Sequence, residues 1–501
     1  MVSPAELRLP ASDAFVRTAV RSIGWVALDK WGTRITTLLV LVVLGRLLSP
    51  THFGLMALAN MCVALANLFV DQGFGKALIQ RRALRPEHVD TAFWTSVSVA
   101  AALVASVLVA APFIEQALRA PGLSGVLRWM SIAIALQALA GTPAALLERE
   151  LDFRTLALRR ISSTLLGGIA GVSVALAGGG VNALVVQSLT AGGAGLVALW
   201  AATSYRPRFR FERTALRELW PVGAGVLGIE LIGLVNAEAD RFLVGSFLST
   251  AALGFYFLAM RITQVIVELF STVFASLCLP MFSRLQDDPV RMRSWLYRLT
   301  GASSAVTLPC LAVVALAAPV ALPAVFGAKW SASVPLLQIL TLLGAINAVA
   351  YFDRNVLVAV GRSRLALLLT LGQALLGVAL VLGAVSYGVI AVAIAVVARQ
   401  YLFWPVRLTV LRRVLGVDLK TYFAQWLGPF LAACAMLPLL FLVPRLLAYP
   451  LGLKLVLVAG VCLVGLVLYG AALRAMRPGI VNELRAALSE FKTQRRSAKA
   501  A

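Results

Sequence analysis

The residues in this sequence that could do chemistry are charges and amides set inside long apolar runs. Asp29, Lys30 and Arg34 share one run. Lys30 and Arg34 are four apart, so a helix puts them on one face. Two cations on one face need an anion nearby. A ligand could supply it, or Asp29, or another helix; otherwise the side chains snorkel to the interface. The next run carries Asn60, Asn67 and Asp71 as a polar stripe. A later run holds Glu230, Glu238, Asp240 and Arg241, and the one after it Arg261, Gln264 and Glu268 at i, i+3, i+7. Glu238 and Arg241 are also spaced for a plain ion pair on one helix. Asn347, Asp353, Arg354 and Arg399 complete the set. An ionisable group at bilayer depth costs about 2.5–3.5 kcal/mol, so each must face an aqueous cavity or a partner. Their spread over both halves of the chain points to one central polar cavity.

Other chemistries are poorly supplied. The two histidines, His52 and His88, stand far apart, and the five cysteines fall in apolar runs with no C-x-x-C pair. Neither a metal centre nor a Ser-His-Asp triad is expected. No Walker A sequence is present, which argues against direct ATP use. The expectation is a protein that is not an enzyme and holds no cofactor.

The elements that must position these residues follow from composition. Of 501 residues, 60% are hydrophobic and only 13% charged, which excludes an ordinary soluble enzyme. Windows of about 20 apolar residues predict about fourteen transmembrane helices. They lie near 24–46, 53–73, 91–113, 127–147, 161–179, 182–204, 221–244, 251–280, 299–320, 333–358, 365–384, 388–410, 425–444 and 451–473. The polar N-terminus lacks a signal-peptide pattern. The formal charge of +23 is scattered over many short loops, so nucleic acid is not an expected partner. Most of the 45 basic residues fall in the N-tail, the even-numbered loops and the C-tail. The positive-inside rule therefore puts both termini in the cytoplasm, and anionic membrane lipids attract these segments.

A repeat organises the helices. Gly45–Ala59 (GRLLSPTHFGLMALA) aligns without a gap to Gly245–Ala259 (GSFLSTAALGFYFLA). Both copies share Gly, Leu, Ser, Gly, Leu and Ala at the positions of Gly45, Leu48, Ser49, Gly54, Leu58 and Ala59. The copies join spans one to two and seven to eight, which makes the unit six helices. Six is even, so the copies point the same way through the bilayer. The fold class expected is an all-α polytopic membrane protein with two parallel six-helix bundles (6+6) and two C-terminal helices. The divisions are a cytoplasmic segment at 1–22, bundles at 23–204 and 221–412 with a cytoplasmic linker at 205–220, two extra transmembrane helices at 413–474 and a basic cytoplasmic tail at 475–501.

The run GRLLSPTHFGLMALANMCVALANLFVDQGFGKALIQRRAL, followed by DTAFW, resembles the opening of bacterial polysaccharide flippases. These form the polysaccharide transporter branch of the MOP exporters, in the lipopolysaccharide/exopolysaccharide group. Shorter similarities are ERELDFRTLALRR, ADRFLVGSFLSTAALGFYFLAMRI and FGAKW. The resemblance implies a 6 + 6 + 2 arrangement in the bacterial inner membrane. It implies that an undecaprenyl-diphosphate-linked oligosaccharide moves from the cytoplasmic to the outer leaflet by alternating access. In relatives, cations on the first and eighth helices line the cavity, which carries over to Arg34 and Arg261; span two here has no basic residue. On this reading Lys30, Arg34 and Arg261 meet the diphosphate, and Asn60, Asn67, Gln264 and Asn347 contact sugar or water. The membrane potential, or entry of H+ or Na+ at Asp29, Glu230 or Asp240, supplies the drive. A polysaccharide polymerase and glycosyltransferases of the same pathway are the expected partners. The rivals are a cation-coupled drug antiporter of the same superfamily and a membrane glycosyltransferase or polymer ligase. The first would have twelve spans and a carboxylate-dominated cavity; the second, a large outer loop.

Overall fold

The computed structural model describes residues 31–81, 84–150, 152–285, 288–446 and 448–476. Every regular element among them is helical. The first are α1 (31–47), α2 (Pro50–Asp71), α3 (Phe74–Gln80), α4 (Pro86–Leu118), α5 (Leu123–Arg149), α6 (Phe153–Leu176) and α7 (Asn182–Ala202). Next come α8 (Arg213–Phe247), α9 (Thr250–Arg284), α10 (Pro289–Phe326), α11 (Ser333–Ala359), α12 (Ser363–Ala384) and α13 (Val389–Leu415). The last are α14 (Leu419–Cys434), the single turn α15 (Val443–Leu446) and α16 (Leu451–Met476). The chain is thus an all-α, multi-pass membrane protein.

Twelve of the described helices are long and apolar enough to cross a bilayer, against fourteen expected. The difference lies at α1, described only from residue 31, and at α6, whose Arg159, Arg160, serines and glycines make it more polar. Several helices begin earlier than their apolar windows. α4 starts at Pro86 rather than 91, α6 at Phe153 rather than 161, and α10 at Pro289 rather than 299. An apolar window measures only the part that needs lipid. The helix itself continues into polar turns with their own caps: the side chain of Asp152 accepts from the Thr155 N–H at 3.1 Å and that of Asp288 from the Arg291 N–H at 3.0 Å.

Internal contacts divide the chain into two compact units, Met1–Leu231 and Ile232–Ala501. The division falls inside α8. The expected linker at 205–220 is an extended strap up to Glu212 and helix thereafter.

The sequence repeat is also a structural repeat. In each copy the helix ends at 47 or 247, and the next begins at Pro50 or Thr250. The Leu48 N–H closes the first helix on Leu44 O at 2.8 Å, and the Leu248 N–H closes its counterpart on Val244 O at 2.9 Å. The Ser49 hydroxyl then accepts from the His52 N–H at 3.4 Å, and the Ser249 hydroxyl from the Ala252 N–H at 3.1 Å. Leu58, Ala59, Leu258 and Ala259 are all buried. The shared serines are N-caps and the shared Leu–Ala pairs are core. Ser49→Ala and Ser249→Ala should each lower stability by about 1 kcal/mol, read as a fall in the thermal unfolding midpoint of the purified chain. The double variant should show the sum, because the sites share no partner.

Close helix approach in the first unit depends on small residues, as membrane packing favours. A Cβ at Gly167 would lie 2.5 Å from Gln187 O on α7, and one at Gly171 would lie 2.7 Å from Gln187 Cβ. In the second unit the helices expected as an appendage pack on α10. Ala305 and Leu316 of α10 share a core with Ala432, Met436, Tyr469 and Leu473. The Tyr469 hydroxyl donates to Ala305 O at 2.7 Å.

Candidate functional site

The first unit contains a polar chamber of about 400 Å³ between α2, α5, α6 and α7. Helical spacing explains its lining. Asn60 and Asn67 are seven apart on α2, Arg159 and Ser163 four apart on α6, and Ser188, Gly192 and Gly195 share one face of α7. Gln137 of α5 joins them. The side-chain oxygen of Asn67 is buried and has no hydrogen-bond partner among the described residues. Leaving a buried amide acceptor unmet costs about 1–3 kcal/mol, so water or a ligand donor belongs there. One guanidinium among amides and hydroxyls suits an anionic, hydroxyl-rich molecule. Gln137 also borders a smaller void with room for about one water, beside Asp71, Ser96 and Thr142.

The expected site residues are distributed as follows. Asn60 and Asn67 meet in this chamber. Arg34 is half-buried on α1 in the same unit. Lys30 and Asp29 lie outside the described residues. Glu230 is half-exposed and pairs with Lys76 at 2.5 Å. In the second unit Asp240 is buried and accepts a hydrogen bond from the Tyr256 hydroxyl. Arg261 and Gln264 are half-buried on α9. The Asn347 carbonyl oxygen accepts from Gln400 Nε2 at 3.0 Å, so a protein group meets the atom expected to meet sugar. That bond belongs to a network in which Gln373 bonds Gln400 and accepts from Arg407 Nη2 at 2.6 Å. The alternative reading of Glu238 and Arg241 holds: they pair at 2.7 Å.

Arg159, Gln137, Ser163 and Ser188 were not among the expected site residues. Arg159 reads as the end of a basic inner loop, because the apolar window opens at 161. The signal that finds it is Asp152 followed by Thr155. That N-cap starts α6 at Phe153 and makes Arg159 a helix residue facing inward.

A second constellation occupies the start of α4 and the strap at 203–212. The segment RPEHVDTAFW binds that strap residue by residue. The Asp90 carboxylate accepts from the Tyr205 hydroxyl at 2.9 Å and from the Arg208 N–H at 3.3 Å. Thr91 Oγ1 accepts from the Glu212 N–H at 3.1 Å. The Trp94 indole donates to Arg208 O at 2.8 Å and stacks on Phe209, centroids 4.5 Å apart. Burial and the adjoining Asp90 carboxylate hold the Tyr205 phenol far above its ordinary pKa, so it stays a donor. Next to this, Glu218 of α8 gathers Arg81, Arg85 at 3.5 Å and the buried His88 at 3.0 Å.

The comparisons with known proteins agree with this architecture. The succinoglycan biosynthesis transport protein ExoT of Rhizobium meliloti (strain 1021) is 28% identical over 65% of this chain and 66% of its own length. The teichuronic acid biosynthesis protein TuaB of Bacillus subtilis (strain 168) is 25% identical over 82% of this chain and 86% of its own. The lipopolysaccharide biosynthesis protein WzxC of Escherichia coli (strain K12) is 24% identical over 66% of this chain and 69% of its own. Among solved structures, the lipid II flippase MurJ in an inward closed conformation superposes with a TM-score of 0.73 at 13% identity, over 92% of this chain and 100% of that one. An inward-facing multidrug resistance MATE family transporter of the MOP superfamily gives 0.55 at 15% identity, over 78% of this chain and 98% of that one. At these identities the two structures establish the fold. A family model described as "Polysaccharide biosynthesis protein" matches residues 43–335, more than half of the chain, and the protein belongs to that family.

Proposed function

We propose that this protein is a flippase for undecaprenyl-diphosphate-linked oligosaccharide repeat units in surface polysaccharide biosynthesis. It is a transporter and not an enzyme, in line with the transport protein ExoT of its family. The observation that carries the reading is the chamber of Asn60, Asn67, Gln137 and Arg159, a polar hollow of about 400 Å³ among helices that are otherwise apolar. The polyprenyl tail can stay in lipid. The diphosphate and sugar cannot, because bare charge and unpaired hydroxyls are costly in hydrocarbon. Amides and a guanidinium replace the water they lose. Relatives named for succinoglycan, teichuronic acid and lipopolysaccharide, and a structural neighbour that flips lipid II, support a lipid-linked glycan as substrate.

Alternating access would expose the chamber to each leaflet in turn. The scattering of basic residues supports an inner-membrane protein with both termini in the cytoplasm. An inside-negative potential drives a substrate of charge near −2 outward with about 4–5 kcal/mol at 100 mV. Proton or sodium entry is the alternative drive; of its candidate carboxylates, Glu230 pairs with Lys76 and Asp240 accepts from Tyr256. Arg34 in the first unit and Arg261 in the second are each a further candidate contact for a diphosphate.

The reading is tested in a strain lacking this gene. Lipid-linked repeat units should accumulate on the inner leaflet, and the wild-type gene should clear them. Normal polymer export in the deletion strain would overturn it.

A further inference from the structure

The strap at 203–212 presents an unusual surface. Phe209 is 91% exposed and Phe211 55%, yet neither is on a loose loop. Asp90, Thr91 and Trp94 fix the strap backbone at three points, Asp90 also holds the Tyr205 hydroxyl, and Trp94 backs the Phe209 ring. A rigidly built segment that holds two phenyl rings outward, with arginines at 206, 208 and 210 and Arg213 next to it at the start of α8, has the composition of a membrane-interface element.

Its place in the fold gives the depth. α4 is a candidate span of 33 residues, about 50 Å long, whereas the hydrocarbon core is about 30 Å thick. The strap touches α4 between Glu87 and Trp94, where polar sequence gives way to the apolar run. Trp94, Trp200 and Tyr205 cluster with Phe93 at this level, as interfacial aromatics do. The arginines divide into two groups. Arg210 lies 3.8 Å from Glu87, and Arg206 donates to Thr203 O and Tyr205 O, each at 2.8 Å. The guanidinium groups of Arg208 and Arg213 are exposed and make no ion pair among the described residues.

We propose that the strap is a seat for anionic phospholipid headgroups, with Arg208 and Arg213 on the phosphates and Phe209 and Phe211 among the upper acyl carbons. The charge selects the lipid: zwitterionic headgroups offer these cations no net attraction. This seat lies outside the chamber and does not depend on what the chamber carries.

Native mass spectrometry of the purified full chain, titrated with phosphatidylglycerol or phosphatidylcholine, tests it. The wild type should retain phosphatidylglycerol preferentially. Arg208→Gln with Arg213→Gln should weaken that retention about 25-fold, at about fivefold per arginine. Phe209→Ser with Phe211→Ser should weaken it at least about tenfold. Thermal unfolding in a zwitterionic detergent confirms that each variant is folded; if the strap pair unfolds, Arg213→Gln alone should still show the fivefold loss. Equal phosphatidylglycerol binding by the strap variant and the wild type would overturn the proposal, as would equal retention of phosphatidylcholine.

Discussion

Arg159→Gln is expected to cut delivery of lipid-linked repeat units to the outer leaflet by about 10-fold to 100-fold per membrane-inserted protein. Among the described residues that line the chamber Arg159 is the only cation, and the other polar groups are amides and hydroxyls. A hydrogen bond to a charged group is worth about 1.5–3 kcal/mol, and this one would be made to an anion already stripped of water. Glutamine keeps part of the length and the hydrogen-bonding capacity but removes the charge. Arg159→Lys keeps the charge and should retain most of the activity; its loss would mean that the planar fork matters. Asn67→Leu should act in the same direction more weakly, because it removes an acceptor that has no partner among the described residues. Surface polysaccharide per cell, normalised to membrane-inserted protein, measures all three. Full export by a well-expressed Arg159→Gln strain would remove the chamber from the transport route.

The largest stability loss is expected at Gly73. It ends the α2–α3 break in the left-handed region at φ +70°. A Cβ there would lie 2.8 Å from Gly223 O and 2.8 Å from Val226 Cβ on α8. The reverse contact is as tight: a Cβ on Gly223 would lie 2.5 Å from Gln72 O. Backbone meets backbone at this crossing, so no side chain can rotate away. Gly73→Val adds a strained φ, worth about 1–3 kcal/mol, to overpacking worth about 1–3 kcal/mol. A loss of about 3 kcal/mol or more should show as a large drop in unfolding midpoint and in membrane-inserted protein. Gly225→Val is the control, since a Cβ there meets nothing within 4 Å. Equal midpoints for the two variants would show that the crossing is not tightly packed.

What the sequence reveals and what it conceals divide along the range of the interactions. The repeat at Gly45 and Gly245 is legible because an N-cap serine and a helix-opening turn are local chemistry. Asn60 and Asn67 are legible because a seven-residue spacing on an apolar helix marks one face. Arg159 is hidden by the same hydropathy that reveals the spans: a basic pair at a window edge reads as loop until the Asp152 cap is noticed. The partners of the charges are beyond any local pattern. Lys76 meets Glu230 from 154 residues away, and Asp90 meets Tyr205 from 115. Glu230 and Asp240 therefore look alike in the sequence but differ in the fold: one is a half-exposed ion pair and the other a buried carboxylate bonded to a tyrosine. The stretch DTAFW is explained by the strap it binds, which no spacing within DTAFW announces.

A flippase of the kind proposed moves a diphosphate-linked glycan across a bilayer through a polar interior. Reconstituting the purified protein in liposomes with a fluorescent undecaprenyl-diphosphate oligosaccharide tests it most directly, with an impermeant reagent that destroys the sugar label outside. The wild type should expose the inner pool to the reagent, faster when a potential pulls anions toward the outside, and Arg159→Gln should leave that pool protected. An inner pool equally protected in wild-type and protein-free liposomes at every potential would contradict it.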